Sequence, residues 1–390
     1  MGFYTFMQIV LLPFFTALLC VVAVHPTMVR IAHLKEIVDV PNARKLQKTP
    51  IPILGGVCVF LGIIVGLGFT CIYEDCVDLF VVVMAMTVML YTGTGDDILG
   101  LSPRIRFLIE ILTVLCLIGI GGYTLNDFHE LWGIEQISAW VAVPLTVFAA
   151  VGIINAINLI DGVDGLSSGF CIMACIMFGS LFYLAGDTSM VILAAVSAGA
   201  LVPFFFHNVY GKTSKMFIGD GGTLVLGVII SVFVVRALQH ETPCGFYVEQ
   251  GMGLVPFTLA VLAVPVFDTL RVMTARILKG HSPFLPDKTH LHHLFISLGF
   301  SHAGTTVIIL SLNTLVVLVW WAVYEAGASI DLQLYIVLAL SLLITSGLYY
   351  PIRNLNPGSR LYKCLRRLGA MTHIERTGFV LWLQRTMDHM

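Results

Sequence analysis

Apolar stretches of roughly 20 residues recur along the whole chain, separated by short polar segments. Helices of that length cross the hydrocarbon core of a bilayer, and in lipid a helix satisfies its own backbone hydrogen bonds. The pattern therefore predicts an all-α polytopic membrane protein. Eleven spans are expected, at about 5–25, 51–73, 77–95, 105–123, 139–157, 165–186, 188–207, 221–238, 252–270, 304–323 and 332–350. The first follows no basic segment and precedes no small-residue cleavage site, so it reads as a retained span. No Pro/Ser-rich linker or block of charge divides the chain, which gives one integral membrane domain over residues 1–351. Pro351 ends the last span, and residues 352–390 form a basic cytoplasmic tail. Its segments Leu361-Tyr-Lys-Cys-Leu-Arg-Arg-Leu and Phe379-Val-Leu-Trp-Leu-Gln-Arg mix cations with bulky apolar residues, as a helix lying on anionic lipid does.

Composition agrees. Of 390 residues, 58% are hydrophobic and 11% charged, where soluble domains carry about 25% charged. No nucleic-acid partner is expected, and a homodimer is allowed. The nine cysteines lack metal-ligand spacing, and those inside spans act as small apolar residues. Charge also sets the orientation, because basic residues stay on the cytoplasmic side. With the N-terminus outside, twenty of the twenty-one Lys and Arg residues fall on inner segments, and only Arg236 does not. The outer segments are acidic or neutral, with Glu74 and Asp75, Asp127 to Glu135, Asp187 and Glu325.

In this orientation every unusual polar cluster lies on the cytoplasmic face. Asp96-Asp97 follows the third span, and Asn155-Ala-Ile-Asn158-Leu-Ile-Asp161-Gly162-Val-Asp164-Gly165 follows the fifth. A carboxylate in hydrocarbon costs about 2.5–3.5 kcal/mol on the insertion scale, so such groups are usually functional and face a polar cavity. If the helix continues this far, Asn155, Asn158 and Asp161 share a face. Gly162 and Gly165 leave room for a backbone or ligand to come close. Two ionised carboxylates about 5 Å apart repel by roughly 3 kcal/mol at an effective dielectric of 20, so Asp96-Asp97 asks for a cation or a shared proton. Oxygen ligands without thiols suit Mg²⁺ or Mn²⁺. Asp220 opens a helix in Gly219-Asp220-Gly221-Gly222, where backbone N–H groups favour phosphate, and Gly221 and Gly222 would let it approach. A basic loop follows the ninth span, with Arg276, Lys279, Asp287, Lys288 and His290-Leu291-His292-His293. Such cations and imidazoles suit anionic oxygens better than they suit zinc. Metal, helix start and cationic loop together describe phosphoryl transfer at the inner membrane surface.

These residues resemble the polyprenyl-phosphate N-acetylhexosamine-1-phosphate transferases, glycosyltransferase family 4. The matching stretches are Asp39-Val-Pro41-Asn-Ala-Arg44-Lys45 with Pro52-Ile-Leu-Gly55-Gly56, Asp96-Asp97, the Asn155–Gly165 stretch, Gly219-Asp220 and Asp287-Lys-Thr-His290-Leu-His292-His293. They run in order from about Arg30 to Leu294, and the eleven-span topology fits. The histidine loop looks like the bacterial branch that uses UDP-N-acetylglucosamine to start O-antigen, common-antigen or teichoic-acid linkage lipids. The peptidoglycan branch, which transfers phospho-N-acetylmuramoyl-pentapeptide, has three consecutive histidines and then an acid. Here Leu291 interrupts the run and Leu294 follows it.

The resemblance implies Mg²⁺, with Mn²⁺ as substitute, held by Asn158 and Asp220. Asp96 and Asp97 are then the catalytic acids, with Asp96 the base that readies the lipid phosphate. Asp161 and Asp164 line the site, and Lys45, Arg276, His290, His292 and His293 bind substrate. It implies a UDP-N-acetylhexosamine donor, a polyprenyl phosphate acceptor and a multi-pass place in the bacterial inner membrane. The rival is an ion-coupled secondary transporter, which would put its acids near the bilayer midplane and show two related halves.

Overall fold

The computed structural model describes residues 3–40, 49–283, 287–373 and 377–389. It is an all-α polytopic membrane protein. Each of the eleven predicted segments is helical. Among the described residues eight helices are long and apolar enough to cross a membrane, and a bent pair makes a ninth if it is one span. The helices of the fold begin, in chain order, with α1 (Tyr4–Leu34), α2 (Gly55–Thr70), α3 (Phe80–Leu99), α4 (Pro103–Gly121), α5 (Ala139–Leu159), α6 (Leu166–Ala185), α7 (Thr188–Tyr210) and α8 (Gly219–Ala237); of these, α2 and α4 are not among the eight. There follow the bent pair α9 (Leu254–Val261) and α10 (Ala263–Leu278), the short α11 (Leu291–Ser297), α12 (His302–Glu325) and α13 (Ile330–Arg353). The tail forms α14 (Arg360–Met371) and α15 (Gly378–His389). Among the described residues the one strand pair, Val38–Asp39 with Ile51–Pro52, is antiparallel.

The chain folds into two compact units. The first comprises Met1–Tyr123, Ser167–Phe233 and Glu375–Met390; the second comprises Thr124–Leu166 and Val234–Ile374. In the first unit α1, α2 and α7 pack on one another, and α3 forms a hairpin with α4. That hairpin is written in four residues. Gly100 adopts φ +69° and its N–H bonds the Asp96 carbonyl, which ends α3. Ser102 then caps α4 through Ile105 N–H, with Pro103 at the first helical position. The reversal returns the first turns of α4 past the last turn of α3.

α3 also meets α8 backbone to backbone. A Cβ on Gly93 would lie 2.4 Å from the Asp220 carbonyl, and one on Gly56 2.2 Å from Gly222 N. One on Gly221 would lie 2.6 Å from Thr94 Oγ1. These glycines are the means by which helices approach closely enough to bring their polar ends together.

In the second unit the predicted ninth span is broken. α9 and α10 meet at 75°. Pro265 has no N–H for the Val261 carbonyl four residues back, so the ladder opens there. Asn313 of α12 fills the gap: its Nδ2 donates to Val261 O at 2.9 Å and its Oδ1 accepts from Val264 N at 2.9 Å. A fully buried amide thus supplies both partners that lipid could not. α10 then carries Asp268, Arg271 and Arg276.

The tail helices are packed, one in each unit. Ser301 Oγ donates to Thr372 O at 2.7 Å, just past α14. Asp388 of α15 accepts from the backbone N–H groups of Lys212, Thr213 and Ser214 at 2.9–3.0 Å. Burial opposes the ionised form of Asp388, but these donors outweigh it and draw its pKa down to about 2.

Candidate active site

The first unit assembles an acid cluster. Asp96 and Asp97 sit on the last turn of α3, and Asp220 on the first turn of α8. Arg106, one turn into α4, reaches both motifs: its Nη1 donates to Asp96 Oδ2 at 3.3 Å and to Asp220 Oδ2 at 3.1 Å. Its Nε donates to Glu110 Oε1 at 3.1 Å, one helical turn further on. Glu110 is fully buried, and the guanidinium is its counter-ion.

Asp96 and Asp97 have different surroundings. Asp97 turns both oxygens to the start of α8, accepting from Asp220 N at 3.1 Å and from Gly221 N at 3.3 Å. It therefore caps the helix that carries Asp220. The sequence reading gave those N–H groups to a substrate phosphate and the space at Gly221 and Gly222 to its approach. The structure corrects both points: the anion at this helix start is Asp97, and Thr94, Gly56 and Ile218 fill the glycine spaces.

The second unit holds the Asn/Asp stretch and the histidines. α5 ends at Leu159, so Asn155 and Asn158 share its last turns while Asp161 lies in the turn beyond. Asn155 Nδ2 bonds back to Val151 O. The turn is pinned from two directions. His302 Nδ1 lies 2.9 Å from Asp164 Oδ2, and Thr306 Oγ1 donates to Asp164 O at 2.8 Å. A Cβ on Gly162 would lie 2.3 Å from His292 Nε2, so the absence of a side chain there admits an imidazole of the same unit.

His290 is oriented by a carboxylate. Its Nδ1 lies 2.9 Å from Asp268 Oδ2, which also accepts from Leu291 N at 3.1 Å. Asp268 Oδ1 accepts from Arg271 Nη2 at 2.6 Å, and that nitrogen also donates to Thr289 O. The Arg271 guanidinium lies over the Tyr349 ring, 3.6 Å from its centroid. His290 Nε2 is buried without a hydrogen-bond partner. The His290 and His292 rings stack at 5.7 Å, and His293 lies 4.2 Å from His292. Burial first, and then the neighbouring histidines, takes His292 down to about 3 and His293 to about 4. Both imidazoles are neutral at pH 7. Arg276 braces the loop: its Nε donates to Asp287 Oδ2 at 3.0 Å and its Nη1 to Pro283 O. Burial raises Asp287, but Arg276 and then Thr289 outweigh that and hold its carboxyl well below the usual range.

The first unit thus gathers Asp96, Asp97 and Asp220, and the second gathers Asn158, Asp161, Asp164, Arg276, His290, His292 and His293. Lys45 lies outside the described residues. Among the described residues no three His, Cys, Asp or Glu side chains form a ready metal cage. The donor set nonetheless fits a hard cation: two carboxylates from different helices already share one positive charge at Arg106 Nη1. Sequence reasoning passed over Arg106 and Glu110 as site residues, although Glu110 is a lone acid in an apolar helix. It also left Asp268, Arg271 and His302 without roles, since pairing across a fold leaves no mark in spacing.

The chain is similar to known proteins over most of its length. Residues 79–238 match the model described as Glycosyl transferase family 4, a region that includes every predicted Asp and Asn of the site. The chain is 29% identical over 332 residues to the probable undecaprenyl-phosphate N-acetylglucosaminyl 1-phosphate transferase of Bacillus subtilis (strain 168), covering 85% of this chain and 89% of that one. It is 30% identical over 277 residues to the undecaprenyl-phosphate alpha-N-acetylglucosaminyl 1-phosphate transferase of Escherichia coli (strain K12), covering 70% and 72%. A Yersinia pestis protein of the same name is 28% identical over 280 residues, covering 70% and 73%. The chain is a membrane transferase that belongs to glycosyltransferase family 4.

Proposed function

We propose that the protein transfers N-acetylglucosamine 1-phosphate from UDP-N-acetylglucosamine to undecaprenyl phosphate, releasing UMP and starting a lipid-linked cell-envelope polysaccharide. The observation that carries this reading is the meeting of Asp96 and Asp220, far apart in sequence, on one guanidinium nitrogen. Acids gathered around a fixed cation are what a reaction among phosphates requires. The names of the relatives support the sugar and the lipid.

The lipid phosphate attacks the β-phosphorus of the nucleotide sugar, so one phosphoanhydride breaks and another forms. Little covalent work falls to the protein, which positions the reactants and neutralises charge. A phosphate monoester has a second pKa of about 6, so at pH 7 most of the acceptor is already dianionic. Asp96 need take only the remaining proton, at its carboxylate. Asp97 holds the start of α8 and thereby the Asp220 carboxylate. Asp268 fixes the Nδ1 side of His290, so its Nε2 is the atom left for a pyrophosphate oxygen. Neutral His292 and His293 can each donate one N–H to an anionic oxygen. The Asp220 carboxylate and, in the second unit, the Asn158 amide are each of the oxygen class that Mg²⁺ takes, and the ion would offset charge on the transferred phosphate.

The eleven-span count and the N-outside orientation belong to the same reading, as does placement in the bacterial inner membrane. The test is UMP release by the purified full-length protein. Release is expected to require both Mg²⁺ and undecaprenyl phosphate, and to be fastest with UDP-N-acetylglucosamine among UDP-sugars. Solute transport by reconstituted protein with no UMP release would replace this reading with a transporter.

A further inference from the structure

Arg106 lies where the carboxylates of Asp96 and Asp220 converge. Both carboxylates reach the same atom, Nη1, at 3.3 and 3.1 Å. Those are lengths for a guanidinium nitrogen, whereas Mg²⁺ holds its oxygens at about 2.0–2.1 Å. Ion and nitrogen exclude one another from that point. The other side of the guanidinium is anchored separately, because Nε donates to the fully buried Glu110 at 3.1 Å. Arg106 and Glu110 share α4 at i,i+4 spacing, so the anchor survives when the outer nitrogen swings off the acids.

We propose that Arg106 is an internal counter-ion that holds the Asp96–Asp220 pair together before the metal arrives and is displaced by it, with Glu110 as the tether that keeps the displaced guanidinium beside the site. The inference rests on the transferase reading and adds two positioning residues to it. An arginine in the seat satisfies two acids that would otherwise repel, at the cost of competing with the ion. The tether lowers that cost by giving the guanidinium a carboxylate it does not have to leave. Metal affinity then depends on which anion Arg106 prefers.

The test is Mn²⁺ binding by the full-length protein in detergent, read as loss of the free-ion electron paramagnetic resonance signal, with UMP release measured in parallel. Removing Arg106 alone would take from the buried Glu110 its bond to Nε, so the informative variant is the double one, Arg106→Gln with Glu110→Gln. It keeps the net charge and removes both members of the ion pair. Mn²⁺ binding about tenfold tighter than in the parent is expected, since the seat is vacated. Glu110→Gln alone should bind Mn²⁺ several-fold more weakly, because the whole guanidinium charge then serves Asp96 and Asp220. Asp220→Asn should lose the binding. If the parent releases UMP while the double variant binds Mn²⁺ no more tightly than it, displacement is wrong and the transferase reading stands. A parent that releases no UMP removes the reading itself, and one that binds no Mn²⁺ removes the metal seat and the displacement together.

Discussion

Asp96 and Asp97 are adjacent in sequence and differ in what they hold. Asp97 has both oxygens on backbone N–H groups of α8, whereas Asp96 shares the Arg106 guanidinium with Asp220. Asp97→Ala would leave two N–H groups at the helix start unmatched, at about 1–3 kcal/mol each, so both melting temperature and UMP release should fall. Asp96→Asn keeps the shape and removes the charge. UMP release should drop at least 100-fold while the melting temperature stays near the parent's, and equal destabilisation by the two variants would erase the distinction. The sequence could pair these acids but could not separate their roles, because the backbone that Asp97 caps lies over a hundred residues away. Acid sensitivity is also settled at single residues. His292 and His293 titrate near 3 and 4 when folded and near 6.5 when unfolded. Between those values the unfolded chain binds more protons, so stability is whole above about pH 6.5 and is lost as pH falls below it. The melting temperature in detergent should therefore decline from pH 7 to pH 5, and the slope should flatten in His292→Asn.

Elements were legible in the sequence to a degree that follows from what makes them. Every predicted span contains helix, because apolar length favours one in lipid. The 75° break between α9 and α10 was not foreseen. Pro265 stands in the sequence, but a proline in an apolar run can bend, kink or pass unnoticed depending on what receives the freed groups. Here Asn313, some fifty residues on, receives them. Asn313→Leu should lower the melting temperature by several degrees through two unmatched backbone groups. Activity should fall with it, since α10 carries Asp268 and its hold on His290. Gly221 and Gly222, which the sequence offers to an approaching phosphate, face Thr94, Ile218 and Gly56 instead, and two further glycines bring the same helices together. Gly93 touches the Asp220 backbone, and Gly56 meets Gly222. Gly93→Ala should therefore cut UMP release at least tenfold by pushing Asp220 off its place, with expression and membrane insertion unchanged.

At the scale of the whole molecule the strongest pattern is the sorting of positive charge, and it makes a prediction that two native cysteines can test. With the N-terminus outside, twenty of twenty-one Lys and Arg residues lie toward the cytoplasm; the opposite orientation would reverse nearly all of them. Cys71 follows α2 on a segment that carries Glu74 and Asp75, and it is exposed. Cys364 lies in α14 beside Lys363, Arg366 and Arg367, and it too is exposed. The orientation puts them on opposite sides. A membrane-impermeant maleimide added to spheroplasts should modify the Cys71 peptide and spare the Cys364 peptide, as read by mass spectrometry. Inverted vesicles should give the reverse, and detergent should expose both. Cys116 is also exposed, but on a helix predicted to lie in lipid, so it should resist the charged reagent in either preparation. Labelling of Cys364 from the outside would overturn the orientation, and with it the cytosolic source of the nucleotide sugar.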